Sequence, residues 1–218
     1  MLSHGSCNSH GVAILLKRGV DFSVQAKILD PLGHFIILKA EIADTTYVLI
    51  NIYAPNKDKE IVKFFKDLTA VLKKENLDTE ENVIVEGDFN CPINPVIDKK
   101  GGSLTPRKSV VDSIGYFQDN FDLIDIHVWR VKNPGVKSFT WSQKSPRIFC
   151  RLDYWLISNI LQDLVISTDI CLAIKTDHAA IIIEVGPKDN QVKGPGLWKM
   201  NCAILEEELY IDEAQSSG

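Results

Sequence analysis

The sequence predicts an α/β protein built as a layered sandwich, with helices lying outside two β-sheets. Three observations lead there. Short apolar runs bounded by Gly, Pro and Asp recur along both ends of the chain, as strands require. Two longer stretches between them place apolar residues at helical spacing. Neither an internal repeat nor a Gly/Ser linker divides the 218 residues, a length that one large domain accommodates.

Taken in order, residues 12–16, 34–42 and 47–52 are rich in Val, Ile and aromatic residues and read as strands. From residue 57 to 76 the period changes: Ile61, Phe64, Phe65, Leu68, Val71 and Leu72 share one face, with Lys and Glu between them. That pattern predicts an amphipathic helix packed on a sheet. Residues 82–86 form a short strand ending in Gly87-Asp88-Phe89-Asn90, followed by a polar, Gly-containing loop to about residue 107. A second helix is predicted over 108–120, with Val110, Val111, Ile114 and Phe117 on one side. Strands return at 138–142, 148–157, 165–172 and 179–185, and from Gly186 onward the pattern decays into a polar, acidic segment.

Composition narrows the functional classes. The chain is 45% hydrophobic and 24% charged, ordinary values for a globular protein. No apolar run approaches a membrane span, and the run at 11–16 is too short for a signal-peptide core, so the expected setting is intracellular. Five scattered cysteines (Cys7, Cys91, Cys150, Cys171, Cys202) form no CxxC pair, which argues against zinc and disulfide frameworks. A net charge of −5 does not favour nucleic acid. Lys99, Lys100, Arg107 and Lys108 bracket one polar loop, and Arg147 and Arg151 flank another segment; by themselves these charges read as solvated.

Four segments place polar, chemically capable residues at the ends of apolar strands, where α/β folds position active sites. They are the run from Asn51 through Tyr53 to Asn56, Gly87-Asp88-Phe89-Asn90, Arg151-Leu152-Asp153-Tyr154, and Thr176-Asp177-His178. Singly, a structural role accounts for most of them. Asp88 and Asn90 suit a turn, Asp177-His178 a turn into the last strand, and Tyr53 the core. Asp153 stands apart, because a carboxylate between Leu152 and Tyr154-Trp155-Leu156 needs a partner, either Arg151 or His178. Together the four suit phosphodiester hydrolysis: carboxylates for a hard cation, a group to position water, and donors for phosphate oxygens.

The motifs NIYAPN, VIVEGDFN, SFTW, RLDYWLIS and TDHAAIIIEV, in this order, resemble the endonuclease/exonuclease/phosphatase superfamily over roughly residues 12–185. Ile-Tyr-Ala-Pro-Asn and the tail Gly196-Leu197-Trp198-Lys199-Met200-Asn201 look most like the endonuclease domain of non-LTR retrotransposons. The resemblance implies a DNase I-like four-layered sandwich of two mixed sheets, with a domain over 1–186 and a linker-like tail over 187–218. It implies a metal-dependent, DNA-nicking hydrolase, or alternatively an abasic-site repair nuclease, another phosphoesterase of the superfamily, or an inert relic of the element. Asp177 would be the metal ligand, and His178 would contact the scissile phosphate, oriented by Asp153. Asp88 would activate water with help from Asn90, while Tyr53 and Asn56 would lie near the phosphate and the DNA backbone. The cofactor would be Mg²⁺ or Mn²⁺ and the partner DNA, with no membrane or small-molecule cofactor, in the nucleus. The family's metal-binding glutamate lies before the strand represented here by residues 12–16. The expectation is therefore a domain incomplete at its N-terminus that holds metal weakly, with Glu41 and Glu86 the next carboxylates to consider.

Overall fold

The structure, a computed structural model, describes residues 2–4, 11–125, 139–171 and 176–186. The chain divides into two units, Met1–Pro187 and Lys188–Gly218, and the second lies outside the described residues.

A six-stranded mixed sheet organises the first unit. Its strands are β3 (Phe22–Leu29), β4 (Phe35–Ile42), β5 (Thr45–Tyr53), β6 (Val83–Asp88), β8 (Leu123–Asp125) and β11 (Asp153–Ser158), in spatial order β3-β4-β5-β6-β11-β8. Only the β5–β6 pair is parallel, and it is the pair joined by a crossover helix, α1 (Asp58–Lys74). Period-2 alternation sorts side chains to two faces. Ile37, Val48, Ile50, Ile52, Val83, Val85, Tyr154 and Leu156 are buried against Phe65 and Leu68 of α1 and Ile114 and Phe117 of α3 (Lys108–Asn120). On the opposite face, Ile84, Trp155 and Ile157 pack with Val165, Ile183 and Val185 of the hairpin β12 (Val165–Cys171) and β13 (Ala180–Val185). A second two-stranded piece, β1 (Leu2–His4) with β2 (Gly11–Ala13), is tied to the main sheet where Asn51 Nδ2 donates to Ala13 O at 2.9 Å. This is the layered α/β architecture the sequence predicts.

The differences have identifiable causes. β3 escapes sequence reading because both its faces are exposed, as suits a bulged edge strand carrying Ser23, Gln25 and Lys27. The predicted strand over 148–157 is two strands. β10 (Ile148–Cys150) belongs to a separate three-stranded sheet with β7 (Lys99–Lys100) and β9 (Trp141–Gln143), whereas β11 belongs to the main sheet. The predicted strand over 12–16 is confined to Gly11–Ala13.

Arg151 sits where the chain changes sheets, and it explains the break. Its backbone N–H donates to Asp98 O at 2.7 Å. Its Nε donates to Asp98 Oδ1 at 2.8 Å, and its Nη1 and Nη2 to Asp125 at 3.1 and 2.5 Å. The guanidinium also lies 4.3 Å from the centre of the Tyr154 ring. Asp98, on the short helix α2 (Pro95–Asp98), is fully buried, so removing Arg151 takes the guanidinium's hydrogen bonds from a carboxylate that water does not reach. Arg151→Met is expected to cost about 3–5 kcal/mol in chemical denaturation. Adding Asp98→Asn and Asp125→Asn to it should recover part of that loss. A single-mutant cost within experimental error of zero would show that the triad does not hold the junction. The sequence reading of Arg151 as a solvated flank is corrected by this burial.

Candidate active site

Strand register alone brings three of the singled-out residues into one row. Tyr53 at the end of β5 is paired with Asp88 at the end of β6, and Asp88 with Asp153 at the start of β11. The fourth segment arrives through the small sheet. Trp141 of β9 forms a β-bridge with His178, Ser142 N donates to Asp177 O at 3.1 Å, and Ala179 N to Thr140 O at 2.6 Å. Residues more than a hundred positions apart therefore meet at one end of the main sheet.

The Asp153 carboxylate meets His178: Nδ1 lies 2.9 Å from Oδ2, and both groups are half-buried. Of the two candidate partners for Asp153, the structure selects His178 and gives Arg151 to Asp98 and Asp125. With Nδ1–H donating to Asp153, His178 Nε2 faces Asp88 Oδ2 at 3.9 Å. That separation is too long for a direct hydrogen bond, and an oxygen atom seated beside the gap can bond both groups. The side chains of Asp88, Asp153 and His178 offer ligand atoms within 4.8 Å of one another and could hold a metal ion.

Backbone contacts fix the loop after β6. Asp88 Oδ1 accepts from Asn90 N at 2.8 Å, the turn-forming bond expected of these residue types. Asn90 adopts φ +50°, a left-handed conformation that asparagine tolerates better than most residues, and its Nδ2 donates to Ala54 O at 2.6 Å. The turn reading and the site reading of Gly87-Asp88-Phe89-Asn90 are thus compatible, since the turn aims the carboxylate. Asn56 is exposed in the loop after β5.

Sequence reasoning named no role for three residues that build this site. Buried Thr140 accepts the backbone N–H groups of Leu152 and Asp153 at 2.9 and 3.1 Å, fixing where β11 begins. Trp141 Nε1 donates to Asp177 Oδ2 at 2.9 Å. Both belong to the SFTW run, so their position was visible and only their contacts were not. Arg107, read as a solvated loop charge, instead pairs with Asp58 and bonds two backbone carbonyls. Of the further carboxylates, Glu41 on β4 accepts from Gln25 at 3.5 Å. Glu86 shares the face of Asp88 on β6 and stands opposite Trp155.

Charge is distributed unevenly. The Trp141 hydrogen bond holds the exposed Asp177 carboxyl below the usual range, so it is ionised. Burial, assisted by the Asp153 charge, raises Asp88 to about 6 and Glu86 to about 7. The hydrogen bond to Asp153 raises His178 above its ordinary value, against the opposing effect of burial. Each raised acid keeps its proton in the folded state where the unfolded chain has lost it. Its contribution to stability is therefore complete below the ordinary carboxyl range and is lost as pH rises through about 6 to 7. Denaturation midpoints of the metal-free protein should fall from about pH 4 to about pH 7, and Glu86→Gln should flatten that decline. An unchanged slope in Glu86→Gln would remove Glu86 from this account.

No family model matches the chain. A transposon TX1 uncharacterised 149 kDa protein from Xenopus laevis is 27% identical over 188 residues, covering 85% of this chain. The chain spans only about 14% of that protein's length. Among solved structures, the AP endonuclease LMAP from Leishmania major superposes with a TM-score of 0.59 at 17% identity, over 73% of this chain and 56% of that one. The endonuclease domain of TRAS1, a telomere-specific non-LTR retrotransposon, gives a TM-score of 0.56 at 14% identity, over 80% and 72% of the two chains. The fold is the one these nucleases share.

Proposed function

We propose that this chain is a divalent-metal-dependent DNA endonuclease domain of retroelement type, cutting a phosphodiester bond at the His178–Asp88 gap. The observation that carries the reading is the convergence of Asp88, Asp153 and His178, with Nδ1 bound at 2.9 Å and Nε2 facing Asp88 at 3.9 Å. The transposon relative and the TRAS1 domain support a retroelement origin, and a nuclear setting belongs to the same proposal.

The donor set suits Mg²⁺ or Mn²⁺, hard cations that take one or two carboxylates and retain water. Asp177, held ionised at the surface, would hold the ion with Asp88, whose carboxyl feels the Asp177 charge, and the ion when bound would supply Lewis-acid polarisation of the phosphate. The chain's own groups do the rest. Asp88, as carboxylate, accepts a proton from the attacking water and orients it. His178, in the doubly protonated form that its bond to Asp153 favours, directs Nε2–H at a phosphate oxygen, where charge develops. Tyr53, the register partner of Asp88, and Asn90 would flank that position, and Asn56 would meet the DNA backbone. The β7–β10–β9 sheet begins at the site and carries Lys99, Lys100, Lys144 and Arg147, a local basic surface within an acidic chain.

Supercoiled plasmid incubated with the protein and Mg²⁺ should convert to open circles, and chelation should stop the conversion. A duplex carrying one abasic site provides the second arm. Incision restricted to that duplex would move the reading to a repair nuclease, and no incision of either substrate would favour the inert relic.

A further inference from the structure

We infer that Arg107 is a positioning residue of this site, a three-way clamp that fixes the loops of Asn56 and Asn90 relative to each other. The inference rests on the nuclease reading for its catalytic consequence, but its geometry stands independently. The Arg107 guanidinium uses all three nitrogens on protein acceptors. Nη1 donates to Asn90 O at 2.6 Å, Nη2 to Asn56 O at 3.4 Å, and Nε to Asp58 Oδ1 at 2.9 Å, where Nη2 also bonds. Its own backbone is held by α3, because Arg107 O accepts from Val110 N and Val111 N at 2.9 and 3.0 Å. Asp58 is the first residue of α1. One half-buried side chain therefore joins the starts of both long helices to the two loops that leave the parallel strands β5 and β6.

The consequence falls on Asn90. Its left-handed backbone is maintained by three bonds: its N–H to Asp88, its side chain to Ala54, and its carbonyl from Arg107. Removing the third frees the peptide after Asn90 to rotate, which loosens the left-handed turn whose N–H aims the Asp88 carboxylate. The arrangement also says what Arg107 does not do. A guanidinium with its forked donors aimed at two carbonyls and a carboxylate is directed away from a role as a phosphate-binding cation.

The two roles predict opposite outcomes, using the full 218-residue chain and plasmid nicking in Mg²⁺. For a clamp, Arg107→Ala lowers kcat about 10²-fold, the scale of an ångström-level misplacement, while KM changes little. Arg107→Lys stays nearly as impaired, because one ammonium cannot span three acceptors. Asp58→Asn moves activity in the same direction by loosening the guanidinium. The slope of log affinity for DNA against log salt remains that of the unsubstituted protein. A phosphate contact would instead lose about one unit of that slope, be rescued by lysine, and bind DNA more tightly once Asp58 is neutralised. Those results, or an unchanged kcat in Arg107→Ala, would overturn the inference. Hydrogen exchange at the Asn90 amide decides the geometry without any turnover. Exchange faster in Arg107→Ala than in the unsubstituted protein and in an exposed-surface control, Lys66→Ala, supports the clamp, and equal rates sink it. An unsubstituted protein that cuts no DNA would thus defeat the proposed function while leaving the clamp to be judged by exchange.

Discussion

Alanine at position 178 should reduce nicking by about 10³-fold at saturating metal, within the range that a positioned acid or base contributes. His178 Nε2 faces Asp88 Oδ2 at 3.9 Å, which sets a donor for a phosphate oxygen beside a carboxylate that accepts from the attacking water. Its orientation depends on Asp153, so Asp153→Asn should cost less, about 10–10²-fold, in keeping with loss of a partner that sets tautomer and aim. The two effects should not add. If Asp153 acts only by holding His178, the double variant will be no slower than His178→Ala alone. The pH profile provides a second check. Asp88 must be ionised to take a proton from water, and burial places that ionisation near pH 6 in the metal-free protein. Activity should therefore rise with pH through an acidic limb at or below that value. Full activity in His178→Ala would remove the central residue and the proposed mechanism with it.

Alanine at Gly87 should destabilise the fold severely. Gly87 has φ +131°, and a Cβ placed there would lie 2.0 Å from the carbonyl oxygen of Ile52. Neither strain can be relieved locally. Ile52 and Gly87 are register partners in the parallel β5–β6 pair, and β5 is held on its other side by β4. Backbone strain and forced repacking together amount to about 2–6 kcal/mol, against a typical domain stability of about 5–15 kcal/mol. The expected result is a chain that is largely insoluble, or that unfolds at much lower urea than its parent. Gly115→Ala is the matched control. That glycine lies inside α3 with nothing within 4 Å of its added Cβ, so the substitution should stabilise the protein by about 0.5–1 kcal/mol. Equal behaviour of the two variants would mean that the close approach at Gly87 is not a constraint. The glycine also matters for the site, since it lets β6 pass close enough to β5 to set Asp88 beside Tyr53.

Both long helices are legible because each has one continuous apolar face: Lys108–Asn120 matches the predicted span, and α1 begins one residue later and ends two residues earlier than predicted. β4 and β5 were legible because they are central strands with strong apolar patterns. β3 was not, because an edge strand exposed on both faces carries no alternation. The 148–157 segment reads as one strand because apolarity runs through it. What divides it is the Arg151 side chain, satisfied by Asp98 and Asp125, residues distant in sequence that no local pattern could have matched to it.

The same boundary separates what was known about the site from what was not. Local chemistry nominated Asp88, Asn90, Asp153, Asp177 and His178, because carboxylates, amides and a histidine at the ends of apolar strands are conspicuous, and a carboxylate within a strand demands a counterpart. Sequence alone determined that such groups exist, and that Asp153 required either Arg151 or His178. Only the tertiary structure decided between those two. Register and burial make the choice: the β6–β11 pairing sets Asp153 opposite Asp88, the Trp141 bridge delivers His178, and buried Asp98 with half-buried Asp125 claims Arg151. Arg107 shows the same limit from the other side. A charged loop residue looks solvated in any one-dimensional reading, because the acceptors that occupy it, Asn56, Asp58 and Asn90, come within reach only once the strands and helices have packed.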